Sequence, residues 1–317
     1  MGIRSRKRRG ITKKRRLKRR GGISKKYGGG VGKIKMFNWW SGTNPDEMPE
    51  YRYFEALLDG CSNRFNEVHV YSVFPVVELN VRASKILTIQ YSGETIYGNP
   101  NNFDINIIPD EHTETSSLVR APMMHLYMWL HNPDMTPYTI PRSLVAPQSK
   151  FCLFSVSSET DKRVSFFNEL SKYKRVDSCG SVLNNLGYNC PGTFDSKEYH
   201  DFINHYKFMI CFENTSMKDY LTEKLIIAYS SGTIPIYWGC PNLADYVNMD
   251  AILCLKPDNT AADVQALIGE IQALDQDEAL YKKKFESIFF KNGMVPDAFN
   301  MEKLNQQMRA KVQAIKP

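Results

Sequence analysis

Residues 206–242 read YKFMICFENTSMKDYLTEKLIIAYSSGTIPIYWGCPN. Lys207–Glu213 (KFMICFE) is largely apolar without a polar alternation, the pattern of a strand buried on both faces. A polar loop follows, and Thr222–Ser231 reads as a helix stopped near Gly232. Thr233–Trp238 (TIPIYW) is the next strand. Strand, helix and strand in so short a span form a βαβ unit, which requires a parallel sheet and an α/β fold. Backbone N–H groups at the helix start, with Lys224 beside them, suit a phosphate or diphosphate. Glu223 is placed to accept hydrogen bonds from vicinal hydroxyls. Taken alone, both residues read by default as a helix-start acid and a solvated base.

The alternation extends on both sides. Upstream, Phe151–Ser157 (FCLFSVS) predicts a strand and Lys162–Tyr173 an amphipathic helix carrying Val164, Phe166, Phe167 and Leu170 inward. Val176 opens a short strand, and Tyr199–Tyr206 predicts a short helix. Downstream, helices are expected over Ala261–Leu274, Asp277–Phe290 and Met301–Ala314. The first half repeats the theme. Strands are expected at Lys35–Trp40, Glu67–Phe74, Lys85–Tyr91 and Asp104–Ile108, with a helix over Tyr51–Leu58. Between the halves, Leu130–Lys150 carries Pro133, Pro137, Pro141 and Pro147, and reads as an inter-domain linker. The organisation expected is a tail (1–35), a first α/β domain (36–145), a second (146–300) and a C-terminal helix (301–317).

The charge is unevenly placed. Of 41 Lys and Arg, 16 stand in residues 1–35, which hold no acid; the remainder has 25 bases against 34 acids. The basic overall balance therefore describes the tail and not the body. Like-charge density with few apolar residues predicts disorder there. A nuclear address, a hold on nucleic acid and attraction to an anionic membrane surface all fit it, as does a plain solvated tail. No run approaches the ~18–20 apolar residues of a membrane-spanning helix, and no secretory leader is recognisable. The seven cysteines contain no CxxC and read as reduced, mostly buried intracellular thiols. With no HExxH either, no metal ligands are assigned. Asp275-Gln276-Asp277 reads as helix-end acid and not a metal pair. The resulting expectation is a cytoplasmic protein, with nuclear or membrane-peripheral placement open through the tail.

The 206–242 stretch resembles the signature of the family 10 glycosyltransferases, the α-1,3/4-fucosyltransferases: FEN, then DYLTEK, then an alanine and G-x-I-P-I-x-x-G. FCLFSVSS and KRVSFFNELSKYKRVDSCGSVLNNLGY are similar to the segment before that signature in the bacterial members. Tyr91–Ile105, with YSGE, resembles a third segment in the N-terminal half. The resemblance implies two Rossmann-like domains facing a cleft (GT-B type), with GDP-fucose held mainly by the second. It implies inverting transfer of L-fucose from GDP-β-L-fucose to an acceptor glycan, α-1,3 to GlcNAc or Glc in a LacNAc-like or related oligosaccharide. By position it implies Glu94 as catalytic base, Arg163 at the donor diphosphate, and donor contacts from Asn214, Tyr220, Glu223 and Lys224. Protein cations would then stabilise the departing GDP, so no metal is strictly required; stimulation by Mn or Mg stays open.

Weaker candidates are Asn184, Asn185 and Gly180, which turn formation alone explains, and Arg120, which lines the cleft or pairs with an acid. Trp39 and Trp40 form an aromatic sugar floor or, by default, pack in the core. A glycan on the Asn214-Thr215-Ser216 sequon would obstruct the donor site. Two other readings stand: a GT-B transferase using a different nucleotide sugar, and a nucleic-acid-binding protein acting through its tail.

Overall fold

The computed structural model describes residues 32–39, 48–61, 64–72, 85–109, 117–145 and 147–315. Nearly all of the basic tail, Trp40 and Phe74 lie outside them.

Four strands form the first sheet: β1 (Lys33–Phe37), β2 (Glu67–Tyr71), β3 (Ile86–Tyr91) and β4 (Ile105–Ile107). They are parallel in the order β1-β2-β3-β4, with Val68 opposite Leu87 and Ile89 opposite Ile105. Val68, Val70, Leu87, Ile89, Ile105 and Ile107 are all fully buried, as parallel strands covered on both faces must be. β1 begins at Lys33, so the tail ends earlier than its charge suggested. Lys35 pairs with Glu67 at 2.7 Å, which explains how a base fits a strand.

Among the described residues, helices α1 (Pro49–Leu57) and α2 (Met123–His131) belong to this half. α2 was not anticipated, because MMHLYMWLH is apolar on nearly every side and shows no periodicity. Met124, His125, Leu126, Met128 and Trp129 are all buried. α2 and the four-residue helix α3 (Thr136–Thr139) also intrude on the stretch expected to be all linker. Pro137 is tolerated in α3 because it stands in the first turn. The rest of the linker is anchored by Arg142. Its guanidinium donates to the carbonyls of Tyr229, Thr233 and Phe285, and it stacks over the Tyr229 ring at 3.7 Å.

The second sheet contains β5 (Lys150–Phe154), β6 (Val176–Ser178), β7 (Tyr206–Phe212), β8 (Ile234–Trp238) and β9 (Leu253–Cys254), all parallel. Its order is β6-β5-β7-β8-β9. Around it lie α4 (Asp161–Ser171), α5 (Lys197–Ile203), α6 (Glu223–Ser230), α7 (Ala261–Gln276) and α8 (Glu278–Phe285). The last helix, α9 (Met301–Ala314), returns to the first half. Asn305 caps the end of α1 by donating to the carbonyls of Ala56, Leu57 and Asp59.

Not all the cysteines are reduced thiols. Cys179 and Cys190 are joined by a disulfide, their Cα atoms 4.9 Å apart. The loop after β6 folds back on itself and brings them within bonding range, which the linear spacing did not reveal. Cys61, Cys152, Cys211 and Cys240 are free and buried. The cysteines therefore no longer argue for a reducing compartment.

Candidate active site

The second sheet changes direction between β5 and β7: from β5 the chain crosses to β6 on one side, then returns to β7 on the other. Ligands in open parallel sheets bind beyond the strand C-termini at such a switch point. β5 leads toward α4 and Arg163 there, and β7 runs into Glu213, Asn214 and the loop before α6. The stretch 206–242 thus surrounds the crevice.

Glu213, which the sequence reading passed over, organises that region. It is completely buried. Its two oxygens accept from Thr222 N at 2.9 Å and Thr222 Oγ1 at 2.7 Å, and Tyr237 Oη donates from 3.4 Å. The Thr222 hydroxyl, which donates to Glu213 and accepts from Lys224 Nζ, makes no side-chain cap to the α6 N–H groups. Lys224 Nζ donates to Thr222 Oγ1 at 3.0 Å and Glu223 Oε1 at 3.1 Å, with Glu213 Oε2 3.5 Å away. Burial pushes the Glu213 carboxyl above its ordinary range despite the pull of Lys224. Burial disfavours the Lys224 ammonium, but the Glu213 and Glu223 carboxylates outweigh it and raise its pKa. Lys224 is accordingly a firmly charged cation at a helix start, the combination an anion needs.

Arg163 sits deeper than a direct phosphate ligand would require, at 1% exposure. Nε and Nη2 donate to Phe212 O at 3.0 and 2.6 Å, and Nη1 to Ser158 O at 2.7 Å. Three of its five N–H groups thus brace the end of β7 and the segment after β5, and the side chain does not line the cleft described below. Burial lowers its pKa, opposed chiefly by the Glu213 carboxylate. Asn214 is exposed at the mouth of the loop.

Glu94 comes from the other half. It follows β3 in a turn held by Ser92, whose Oγ accepts from Glu94 N at 3.0 Å and donates to Glu94 O at 2.8 Å. Tyr220 Oη donates to Glu94 Oε2 at 3.3 Å, so signature loop and acid meet. Two further links tie the halves: Met124 N donates to Leu221 O at 2.9 Å, and Arg120 pairs with the buried Asp219. Asp219 was also missed. It adopts a left-handed φ of 62° and gathers Arg120, Asn242 and Tyr246, thereby setting the turn that presents Tyr220.

Glu94, Glu223 and Lys224 line one cleft of ≈ 660 Å³, with Arg52, His131 and Phe194 on its walls. A hollow of ≈ 720 Å³ lies under the linker, but Arg142 is its lone charged lining residue, and that side chain is tied to carbonyls. Of the six residues named from the sequence, Glu94, Glu223 and Lys224 line the first; Tyr220 reaches it through its bond to Glu94, and Arg163 and Asn214 do not line it. Other candidates prove structural. Asn185 ties Ser178 N to Val176 O, Asn184 accepts from Leu186 and Gly187 N, and Gly180 lies against the Val156 backbone. Trp39 stacks on Tyr91 at 5.6 Å beside the core. Asp275 is paired with Lys174 and Lys207, while Asp277 caps α8.

Two parallel sheets sharing a cleft, with a base-capable carboxylate on one side and cations at a switch point on the other, define a transferase fold of the GT-B type. Crystallised α1,3-fucosyltransferase with GDP-fucose has this fold: TM-score 0.63 and 23% identity, over 90% of this chain and 92% of that one. The model of glycosyltransferase family 10 (fucosyltransferase), C-terminal part, matches residues 146–305, half the chain. The chain belongs to that family. The α-(1,3)-fucosyltransferase FucT of Helicobacter pylori is 32% identical over 267 residues, 68% of this chain and 52% of that protein. GDP-fucose protein O-fucosyltransferase 3 of Xenopus laevis is 34% identical over 130 residues, 39% of this chain and 27% of that protein. The chain thus spans about half, or less, of the length of these relatives. Among the described residues no helix is long and apolar enough to cross a membrane.

Proposed function

We propose that the chain transfers L-fucose from GDP-β-L-fucose to a hydroxyl of an acceptor glycan, with inversion at the anomeric carbon. The observation that carries this reading is the placement of Glu94 in one cleft with Glu223 and Lys224. As the acceptor oxygen bonds to the anomeric carbon, the bond to the diphosphate breaks on the opposite face. Glu94 takes the hydroxyl proton, since a neutral sugar hydroxyl is a poor nucleophile. Negative charge grows on the departing GDP, where Lys224, the start of α6 and Arg163 stabilise it. Glu223 and Asn214 accept and donate to the ribose and fucose hydroxyls. Tyr220 holds Glu94 in place.

Family membership and the name of the Helicobacter relative favour GDP-fucose as donor and α-1,3 linkage over another nucleotide sugar. The experiment is fucose transfer measured on a glycan array with a panel of nucleotide sugars, on the full chain and on a form starting at Gly32. Transfer from GDP-fucose by both forms supports the reading and makes the basic tail dispensable for chemistry. Turnover of a different donor only, or salt-sensitive nucleic-acid binding without transfer, would replace it. A folded protein domain belongs among the acceptors tested, given the protein O-fucosyltransferase likeness.

A further inference from the structure

At the rim of the same cleft, three side chains converge that the transfer reaction does not use. His131 ends α2; Asp195 lies just before α5 in a left-handed turn, φ 61°; His200 is within α5. Their potential ligand atoms all lie within 4.8 Å of one another. Asp195 Oδ2 is 2.7 Å from His131 Nε2, and Asp195 Oδ1 is 2.7 Å from His200 Nε2.

The outer contacts of the cluster explain its direction. His200 Nδ1 is 2.6 Å from Ser231 Oγ, and that hydroxyl lies 2.7 Å from Ile227 O. With the hydroxyl hydrogen on Ile227 O, the bond to His200 runs from Nδ1–H. Nε2 is left facing the Asp195 carboxylate, where it either donates an N–H or, with a metal ion between them, acts as a ligand. A histidine whose second nitrogen is fixed by an outer partner is the usual form of a metal-binding imidazole.

We propose that His131, Asp195 and His200 bind one divalent transition-metal ion of the zinc class. Two imidazoles and one carboxylate are the donor set such borderline ions take in preference to Mg or Ca. At metal–ligand bonds of about 2.0–2.1 Å the donors would stand about 3.3 Å apart, so the cluster reaches that geometry by small side-chain rotations. Three protein donors leave a position for water or a ligand oxygen. His131 and Asp195 both line the cleft that holds Glu94 and Lys224. The ion would therefore clasp the end of α2 to the start of α5 at the rim of that cleft. This inference stands independently of which sugar is transferred.

The test uses the full chain after chelator treatment, titrated with Co(II) as a spectroscopic probe and then Zn(II) in competition, with Mg(II) as control. The expected result is saturable uptake of one Co(II), visible d–d bands that Zn(II) displaces and Mg(II) does not, and a raised melting temperature. Asp195→Asn and His200→Gln should weaken binding by at least about 100-fold, since losing an outer partner alone costs roughly 10–100-fold. Ser231→Ala should fall in that smaller range. His131→Gln, at an exposed helix end, serves as the second variant if either of the others fails to fold. Absence of saturable uptake by the wild type overturns the proposal, as does unchanged uptake in a folded His131→Gln or Asp195→Asn. A wild type that binds no ion but loses stability in Asp195→Asn makes the cluster a hydrogen-bonded latch, and also overturns it.

Discussion

The Tyr220 hydroxyl donates to Glu94 Oε2 across the cleft, at 3.3 Å. One residue belongs to the signature loop of the second half, the other to the turn after β3 of the first. Burial holds the Tyr220 phenol well above its ordinary pKa, so it stays a neutral donor. The bond joins the residue proposed to take the acceptor proton to the loop proposed to hold the donor. Loop order and base position are thereby one structural event.

Glu94→Gln keeps shape and the Tyr220 bond but removes the base. Fucose turnover should drop roughly 10²–10⁴-fold, the usual worth of a positioned general base, while GDP-fucose affinity by calorimetry stays within a few-fold of wild type. Tyr220→Phe removes one hydrogen bond worth about 0.5–1.5 kcal/mol, and should lower turnover roughly 2- to 12-fold. Because both changes act on one group, the double variant should be no worse than Glu94→Gln. Additive losses would separate the two residues.

Glu213 should matter as much for folding as for donor binding. Glu213→Ala strands Thr222 N, Thr222 Oγ1 and the Tyr237 hydroxyl, and deprives Lys224 of a buried counter-charge. Removing one partner of such a pair costs about 3–5 kcal/mol. Glu213→Gln, which keeps volume and some hydrogen bonding, should lose about 1–3 kcal/mol and remain folded, with weakened GDP affinity. Urea unfolding and GDP calorimetry on Glu213→Gln check both halves. Unchanged GDP affinity in a folded variant would sever Glu213 from the donor site.

Much of this was legible in the sequence, and the misses have identifiable causes. β7, α6 and β8 were readable because buried parallel strands are continuous apolar runs and Gly232 marks a helix end. α2 was not, since a helix buried on most sides has no amphipathic period. Glu94, Tyr220, Glu223 and Lys224 could be named through the family resemblance, and they do line or border one cleft. Glu213 and Asp219 could not be singled out by chemistry. An acid beside a strand end reads as solvated, and only the fold shows it buried among donors. The Cys179–Cys190 bond and the His131–Asp195–His200 cluster escaped for a related reason: each depends on loops and helices meeting in space. Arg163 was named through the resemblance alone, and its bracing of Phe212 O and Ser158 O was invisible from residue type.

Gly239 tests how tightly the Glu213 network is packed. A Cβ there would stand 2.5 Å from Glu213 Cγ and 3.0 Å from Tyr237 Oη, at a φ of 153°. Gly239→Ala must therefore push Glu213 away from Thr222. We expect a loss of about 1–3 kcal/mol, the ordinary cost of overpacking, with weakened GDP binding in the same variant. A stable Gly239→Ala with normal affinity would mean that the strand end yields without disturbing Glu213.

His125 should give the fold a measurable acid sensitivity. It is wholly buried in α2, accepts or donates one hydrogen bond with Tyr53 Oη at 2.9 Å, and packs edge-on against Tyr53 and Phe299. Burial depresses its pKa from 6.5 to about 3, so the folded protein keeps it neutral. The unfolded chain takes up the proton first as pH falls. Its contribution is therefore whole above the unfolded value of 6.5 and is lost progressively toward the folded value of about 3. By pH 5 the loss is about 2 kcal/mol, at roughly 1.4 kcal/mol per pH unit. His125→Gln retains a partner for Tyr53 but does not titrate. Urea midpoints from about pH 7 to about pH 5 should fall more steeply for wild type than for this variant. Parallel curves would show that His125 is protonated without cost, and that the seam between α1 and α2 admits water.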